Sequence, residues 1–124
     1  MIFGVGVDII QISRIEEAIS RFGDTFIERA FGERERYAGG KEGAAAHFAT
    51  RFAAKEAFLK ALGTGLRKGI GWKEIEVMTD PLGRPEVLLS GRAREIFEEK
   101  GLRRVHLSLA HEKEYGIAFV VIEG

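Results

Sequence analysis

The chain has 124 residues with 19 basic and 19 acidic side chains, so its formal net charge at pH 7 is zero. This balance gives no indication of a nucleic-acid partner or of a membrane surface. The sequence contains no cysteine, which excludes disulfides, a thiolate nucleophile and a thiolate metal site. The length fits one domain over residues 1–124. Because no signal-peptide pattern and no membrane-spanning apolar run is present, we expect a cytoplasmic protein.

The first predicted element is a buried strand from Ile2 to Ile10, which is short, β-branched and apolar. Gly4 and Gly6 within it indicate a close approach of another backbone or a β-bulge. Asp8 is unexpected, because it places a carboxylate inside an apolar run. Two interpretations remain open: Asp8 satisfies backbone donors where the strand ends, or it is a metal ligand or general base.

A short amphipathic helix is predicted next, because Ser13–Glu16 forms a capping box and Gly23 ends the apolar periodicity. Arg14 and Arg21 are seven residues apart and therefore share its polar face, which is either a solvated face or a docking surface. Further along, Gly39-Gly40 predicts a loop or hinge before the longest helix.

The longest predicted helix runs from Ala45 to Leu62 and ends at Gly63. On a helical wheel, Glu56 falls inside the apolar sector, with Lys55 on its flank and Lys60 one turn later. A carboxylate in a buried sector is unfavourable unless it is paired or bound to a metal. Glu56 therefore belongs either to a structural ion pair, which the pattern alone favours, or to an active site. The apolar sector comprises Ala45, Phe48, Ala49, Phe52, Leu59 and Leu62.

The second half of the chain predicts strands with one inserted helix. The glycine-rich basic segment Gly63–Gly71 is either a phosphate-binding loop or a connector, and the dipole at a helix C-terminus disfavours anions. A hairpin is predicted around the turn Asp80–Pro85, and Ser90 is predicted to cap a helix. The fold class is α+β, with an antiparallel sheet packed against the long central helix and shorter helices. The predicted strands are 75–79, 86–89, 105–110 and 115–122.

Asp8 and Glu56 are the two carboxylates that the predicted elements leave unexplained. Two hard oxygen ligands without a close histidine pair suit Mg²⁺, which completes its coordination with water and substrate phosphates. Arg51, Lys55 and Lys60 lie near Glu56 in the sequence and would face phosphate oxygens. The residues therefore indicate metal-assisted chemistry at a phosphate or pyrophosphate.

Four segments, in order, resemble the signatures of one enzyme family. They are Gly6-Val7-Asp8 with Arg14 six residues later, Phe52–Ala61 around Lys-Glu-Ala, Gly83-Arg84-Pro85, and Ser108-Leu109-Ala110-His111. Together with the chain length, they resemble the 4′-phosphopantetheinyl transferases of the short, single-domain, holo-acyl-carrier-protein synthase type. The resemblance covers essentially the whole chain and implies the transferase fold.

The resemblance implies an activity and a set of residues. Such transferases move the 4′-phosphopantetheine arm from coenzyme A to a serine of apo acyl-carrier protein, which serves fatty acid biosynthesis, and they require Mg²⁺. Asp8 and Glu56 match the family's metal ligands, and Lys60 matches the lysine that assists the phosphates. The resemblance places the other residues of the matching segments on the nucleotide side of the site. With the basic residues near Glu56 added, the expected coenzyme A contacts are Arg51, Lys55, Gly63, Gly83, Pro85, Ser108 and His111.

The resemblance also implies partners and an assembly. Arg14 and Arg21 match the basic first helix that binds the acidic carrier protein, and members of this size form homotrimers with coenzyme A held between subunits. Two alternatives use the same residues differently. One is a Mg²⁺-dependent nucleotide pyrophosphatase, and the other is a non-catalytic oligomeric module that binds an acidic partner.

Overall fold

The computed structural model describes residues 1–38 and 42–124, and the predicted loop at Gly39-Gly40 lies outside them. The predicted α+β class is confirmed. None of the helices in the described part of the chain is long and apolar enough to cross a membrane. In chain order the elements are β1 (Ile2–Gln11), α1 (Ile12–Phe22), α2 (Asp24–Ala30), a first 3₁₀ helix (Glu33–Ala38), α3 (Ala44–Leu62), a second 3₁₀ helix (Trp72–Glu74), β2 (Ile75–Thr79), β3 (Pro85–Leu89), α4 (Gly91–Glu99), β4 (Arg104–His111) and β5 (Tyr115–Glu123).

The strands form two antiparallel sheets. The first and last strands of the chain pair, giving a three-stranded sheet in the order β1-β5-β4, and β2 and β3 form a separate hairpin. The register places Asp8 opposite Ala118 and Ala118 opposite Leu109, so these three side chains share one row across the sheet. This face of the sheet packs on α3, as expected for a long helix lying across an antiparallel sheet.

Gly4 and Gly6 bring β1 and α3 into backbone contact. A Cβ atom at Gly6 would lie 1.9 Å from the carbonyl oxygen of Ala57, and one at Gly4 would lie 2.0 Å from that of Ala61. The close approach predicted from the two glycines is therefore confirmed, and the pairing register also shifts between Ile2 and Gly4. Asp8 is the next residue on the same face of β1, so this approach places its carboxylate beside the C-terminal half of α3.

Helix α3 ends as predicted, because Gly63 adopts a left-handed conformation (φ 87°) and donates its N–H to the carbonyl of Leu59. The apolar sector predicted from the helical wheel covers only part of the buried surface of α3. Ala53, Lys55 and Phe58, which lie outside it, are also fully buried. The reason is that the sheet, α1 and the β2–β3 hairpin pack on different sides of this helix, so it is apolar almost all round.

Strand β1 is buried on only one face, which corrects the prediction of a buried strand. The alternate side chains of β1 and β5 face away from α3 and form an exposed apolar surface, which we call the outer sheet face. Val7 is 53% exposed and Phe119 is 44% exposed on this surface. Its apolar members are Val5, Val7, Ile9, Ile117 and Phe119.

Two predicted side-chain caps are absent from the structure. Helix α1 begins at Ile12 directly after β1, and the N–H of Ile12 donates to the carbonyl of Glu114 (2.8 Å), so Ser13 lies inside the helix and makes no cap. Ser90 precedes α4 without a side-chain hydrogen bond to it. Instead Oε1 of Glu74 accepts the N–H of Ala93 (3.1 Å). In both helices, a residue distant in sequence accepts a backbone N–H at the helix start, which the local pattern had assigned to the side chain of a neighbouring serine.

Candidate functional site

A lysine–aspartate pair joins β1 to the C-terminal half of α3. Nζ of Lys60 donates to Oδ1 of Asp8 (2.9 Å) and to the carbonyl of Val7 (3.1 Å). The Asp8 side chain is largely buried, whereas just over half of the Lys60 side chain remains exposed. Asp8 thus pairs with a side chain rather than with backbone donors, and the strand continues past it to Gln11. Of the two interpretations left open for Asp8, the structure contradicts the one in which Asp8 satisfies backbone donors at a strand end.

Glu56 lies beside this pair but does not join it. Its half-buried carboxylate makes no hydrogen bond or ion pair with the residues of 1–38 and 42–124. Burial and the nearby charge of Asp8 raise the pKa of Glu56, whereas Lys60 and Arg14 oppose that rise. The ion pair that the helical wheel favoured for Glu56 is therefore wrong, because Lys60 is held by Asp8. Two neighbouring carboxylates that repel each other are suited to a cation.

An open groove of about 510 Å³ borders Glu56 on one side of α3. Glu56, Lys60 and Gly63 all line it, so three of the predicted site residues meet there. Trp72 lines it too, although the sequence analysis did not select that residue. Its signal was available, because it is the only tryptophan and directly follows the glycine-rich segment. The groove falls in the usual size range of small-molecule sites.

Lys55 does not face this groove, contrary to the expectation that it contacts phosphate. Its ammonium is fully buried and donates to Oε1 of Glu35 (2.6 Å), to the carbonyl of Trp72 (3.0 Å) and to that of Ile75 (2.6 Å). An ammonium has three donors, and all three are used. Burial lowers the pKa of Lys55, and Glu35 opposes this. Lys55 and Glu35 therefore form a buried ion pair that the sequence analysis did not predict, because it assigned the ion pair of α3 to Glu56.

Arg51 is half-buried and donates to the hydroxyls of Thr50 (3.1 Å) and Thr79 (3.0 Å). Its Nε is buried without a hydrogen-bond partner among the described residues. Arg51 is not among the residues that line the groove at Glu56. Its role as a coenzyme A contact stays a prediction.

The remaining predicted nucleotide contacts lie elsewhere on this chain. Gly83 adopts φ 89° in the β2–β3 turn, and Pro85 borders a different groove together with Arg84 and Arg104, the first residue of β4. Ser108 pairs with Phe119, which places it on the outer sheet face. His111 lies at the end of β4, near the N-terminal residues of α3. One chain thus brings together Asp8, Glu56, Lys60 and Gly63, and leaves Gly83, Pro85, Ser108 and His111 apart from them.

The two predicted docking arginines are both exposed on α1. The positive charge of Arg14 acts on Glu56, so Arg14 lies on the side of the molecule that carries the carboxylates. Arg21 is 3.7 Å from Glu17 in a solvent-exposed pair. An exposed pair of this kind is weak and gives way readily to another acidic partner.

A model of the 4′-phosphopantetheinyl transferase superfamily matches residues 4–120. The chain belongs to this superfamily. It is 51% identical over 124 residues to a holo-[acyl-carrier-protein] synthase of Geotalea daltonii, and the match covers 99% of both chains. Both the sequence resemblance and the transferase fold are thereby confirmed.

Solved structures of other superfamily members agree with this assignment. The crystal structure of a holo-[acyl-carrier-protein] synthase from Neisseria meningitidis is 38% identical, with a TM-score of 0.91 and full coverage of both chains. A holo-(acyl-carrier-protein) synthase from Bacillus anthracis, solved in complex with CoA (3′,5′-ADP), is 41% identical with a TM-score of 0.82, covering 100% of this chain and 98% of that one.

Proposed function

We propose that this chain transfers the 4′-phosphopantetheine group from coenzyme A to a serine of apo acyl-carrier protein and releases adenosine 3′,5′-bisphosphate. This reaction activates the carrier for fatty acid biosynthesis. The observation that carries the proposal is that Glu56 and Lys60 line one groove, while Asp8 pairs with Lys60 and acts on the charge of Glu56. The chain matches a holo-[acyl-carrier-protein] synthase over 99% of its length, which supports this assignment.

We further propose that the reaction requires Mg²⁺ held by Asp8 and Glu56. The structure contains no group of three or more potential metal-binding side chains within residues 1–38 and 42–124. Mg²⁺ needs no more than one or two protein carboxylates when substrate phosphates and water complete its shell. Burial and, after it, the charge of Asp8 raise the pKa of Glu56, and the repulsion between the two carboxylates fits a cation between them. When bound, Mg²⁺ supplies charge neutralisation at the pyrophosphate.

The side chains at the groove have complementary roles in this proposal. The exposed ammonium of Lys60 faces the phosphates and stabilises the negative charge that develops on the leaving bisphosphate. The carrier serine supplies the attacking oxygen, in line with the breaking phosphorus–oxygen bond, so the chain needs no nucleophile of its own. The serine proton would pass to one of the two carboxylates, Asp8 or Glu56, or to a water molecule beside them.

The surface next to Glu56 suits an acidic carrier protein. Arg14 and Arg21 are exposed on α1, and Arg14 is close enough to act on the pKa of Glu56. A carrier held by these arginines would bring its serine to the carboxylates. Complementary charge of this kind speeds association and fixes orientation.

We also propose a homotrimer with the site between subunits. Residues predicted to contact the nucleotide, among them Pro85, Ser108 and His111, lie apart from the groove at Glu56 within one chain. A neighbouring copy would supply them if the outer sheet face were an interface. Exposed apolar side chains such as Val7 and Phe119 make this surface suitable for burial against another copy. A cytoplasmic location stays a prediction.

The test is to incubate the protein with coenzyme A, Mg²⁺ and apo acyl-carrier protein, and to measure the mass of the carrier. We expect the carrier to gain the phosphopantetheine mass and the gain to vanish when a chelator replaces Mg²⁺. Cleavage of coenzyme A without modification of the carrier would instead support a pyrophosphatase. Binding of the carrier without any reaction would support a non-catalytic module.

A further inference from the structure

A fully buried ion pair is connected to the groove at Glu56 through Trp72. Both side chains of the Lys55–Glu35 pair have no exposed surface, and Nζ of Lys55 is 2.6 Å from Oε1 of Glu35. Glu35 also accepts the N–H groups of Gly32 (2.9 Å) and Val77 (2.8 Å). The carboxylate is therefore fixed by two separate segments of backbone, and it holds the ammonium in one position.

The ammonium of Lys55 in turn holds both ends of the second 3₁₀ helix. It donates to the carbonyl of Trp72 (3.0 Å), where that helix begins, and to the carbonyl of Ile75 (2.6 Å), just after it. The segment after the glycine-rich loop is thus tied to α3 by a side chain rather than by a strand ladder. A hydrophobic residue of similar size at position 55 would fill the volume but could not hold these carbonyls.

The residue held in this way forms a wall of the candidate site. Trp72 lines the groove together with Glu56 and Lys60, and its ring lies 4.9 Å from the ring of Phe52. Lys55 and Glu56 are consecutive residues of α3. One turn of α3 therefore places the carboxylate of Glu56 in the lining of the groove. The adjacent Lys55, on the same turn, fixes the Trp72 wall of that groove.

We propose that Lys55 is a positioning residue whose contact with Glu35 fixes the Trp72 wall relative to Glu56, and thereby sets the affinity of the groove for coenzyme A. This proposal rests on the proposed function, because it takes coenzyme A as the ligand of the groove. It assigns no contact between Lys55 and the substrate. A merely structural role would affect stability alone, whereas a positioning role affects the binding of one substrate more than that of the other.

Trp72 is the only tryptophan of the chain, so its fluorescence reports directly on this wall. The experiment compares the natural protein with the double variant Lys55→Met/Glu35→Gln, which removes both charges together because a lone buried charge would unfold the chain. We expect the tryptophan emission of the folded variant to shift to longer wavelength. We also expect KM for coenzyme A to rise about tenfold, with KM for the carrier changed less than about twofold.

The matched control is Ile122→Ala, a core substitution in β5 at a fully buried residue outside the groove lining. It should lower stability and leave the emission and KM for coenzyme A unchanged. If the double variant does not fold, Lys55→Gln/Glu35→Gln is the second variant, because it also removes both charges and keeps N–H donors at position 55, and a smaller change in the same direction is expected. Unchanged emission and KM in the folded variants, or equal changes in Ile122→Ala, would overturn the proposal.

Two results keep this proposal distinct from the proposed function. If the natural protein does not modify the carrier, the proposed function fails. If it does modify the carrier, and coenzyme A quenches Trp72 equally and with the same affinity in all variants, only the role of Lys55 fails. Quenching by coenzyme A needs no carrier and no turnover, so it measures the groove independently of activity.

Discussion

Lys60 and Asp8 connect two elements that are 52 residues apart in the chain, with Nζ of the lysine 2.9 Å from Oδ1 of the aspartate. The pair depends on the close approach of β1 and α3 at Gly6. It leaves more than half of the lysine side chain exposed to an incoming ligand. Because the Lys60 ammonium is held by Asp8 and remains accessible to solvent, it is preorganised to bind a phosphate group.

Lys60→Met should therefore separate activity from stability. We expect kcat to fall by about 10²–10³-fold, because the positive charge at the phosphates is lost. The free energy of unfolding should fall by about 1–3 kcal/mol, because the largely buried carboxylate of Asp8 loses its charged partner, and the variant should stay folded. Chemical denaturation and steady-state kinetics measure the two effects. Lys100→Met, at an exposed lysine after α4, is the control and should retain full activity.

Glu56→Gln should abolish Mg²⁺-dependent turnover and leave the fold intact. The pKa of Glu56 is raised in the folded state, so ionised Glu56 destabilises the metal-free protein above its folded pKa. The glutamine variant should thus be at least as stable as the natural protein at neutral pH without metal. This difference in stability should disappear as the pH falls below the ordinary glutamate pKa, because Glu56 is then protonated in both the folded and the unfolded state. Urea unfolding across pH measures it.

The same titration has a consequence for metal binding. Because a protonated carboxyl binds Mg²⁺ poorly, the affinity for Mg²⁺ should fall as the pH is lowered through the pKa of Glu56. Calorimetry in buffers of different ionisation enthalpy should detect proton release on binding, and no such release in Glu56→Gln. A glutamine variant that unfolds would instead give Glu56 a structural role.

The sequence predicted the helices and strands and singled out the carboxylates Asp8 and Glu56. It could not show which of the two lysines near Glu56 is buried and which is exposed. Lys55 and Lys60 both lie near Glu56 along the helix, and only the packing of three elements around α3 shows that the first is buried and the second open. The role of Gly4 and Gly6 could be inferred from the strand sequence alone, because two glycines within a strand usually mark a bulge or the close approach of another backbone. The partner of Lys55 is Glu35, twenty residues earlier, and no local pattern marks that contact.

Gly6→Ala tests the backbone contact on which the site depends. The new methyl group would lie 1.9 Å from the carbonyl oxygen of Ala57, so strand and helix must separate. We expect a loss of about 3 kcal/mol in the free energy of unfolding and a reduced affinity for Mg²⁺. Gly71→Ala is the control, because φ there is −106° and a Cβ meets no atom within 4 Å. It should change stability by less than about 1 kcal/mol.

Arg14→Glu tests the docking surface. We expect KM for the carrier to rise much more than KM for coenzyme A, with the difference largest at low ionic strength, where exposed charges are screened least. Arg94→Glu, on the exposed side of α4, provides the same change of charge away from the carboxylates and should affect neither value. Equal effects of Arg14→Glu on both substrates would count against a docking role.

Phe119→Arg tests the proposed assembly. Phe119 is 44% exposed in one chain and lies at the centre of the outer sheet face, between Val7 and Ser108 in the strand register. A charge there would be buried without a partner in an oligomer, so the variant should become monomeric while keeping its fold. Leu88→Arg, at a similarly exposed residue of β3 (40%), is the control. Analytical ultracentrifugation gives the mass, and activity measured on the same samples gives the consequence. If the site lies between subunits, the monomer should lose transfer activity, whereas an active monomer would place the whole site within one chain.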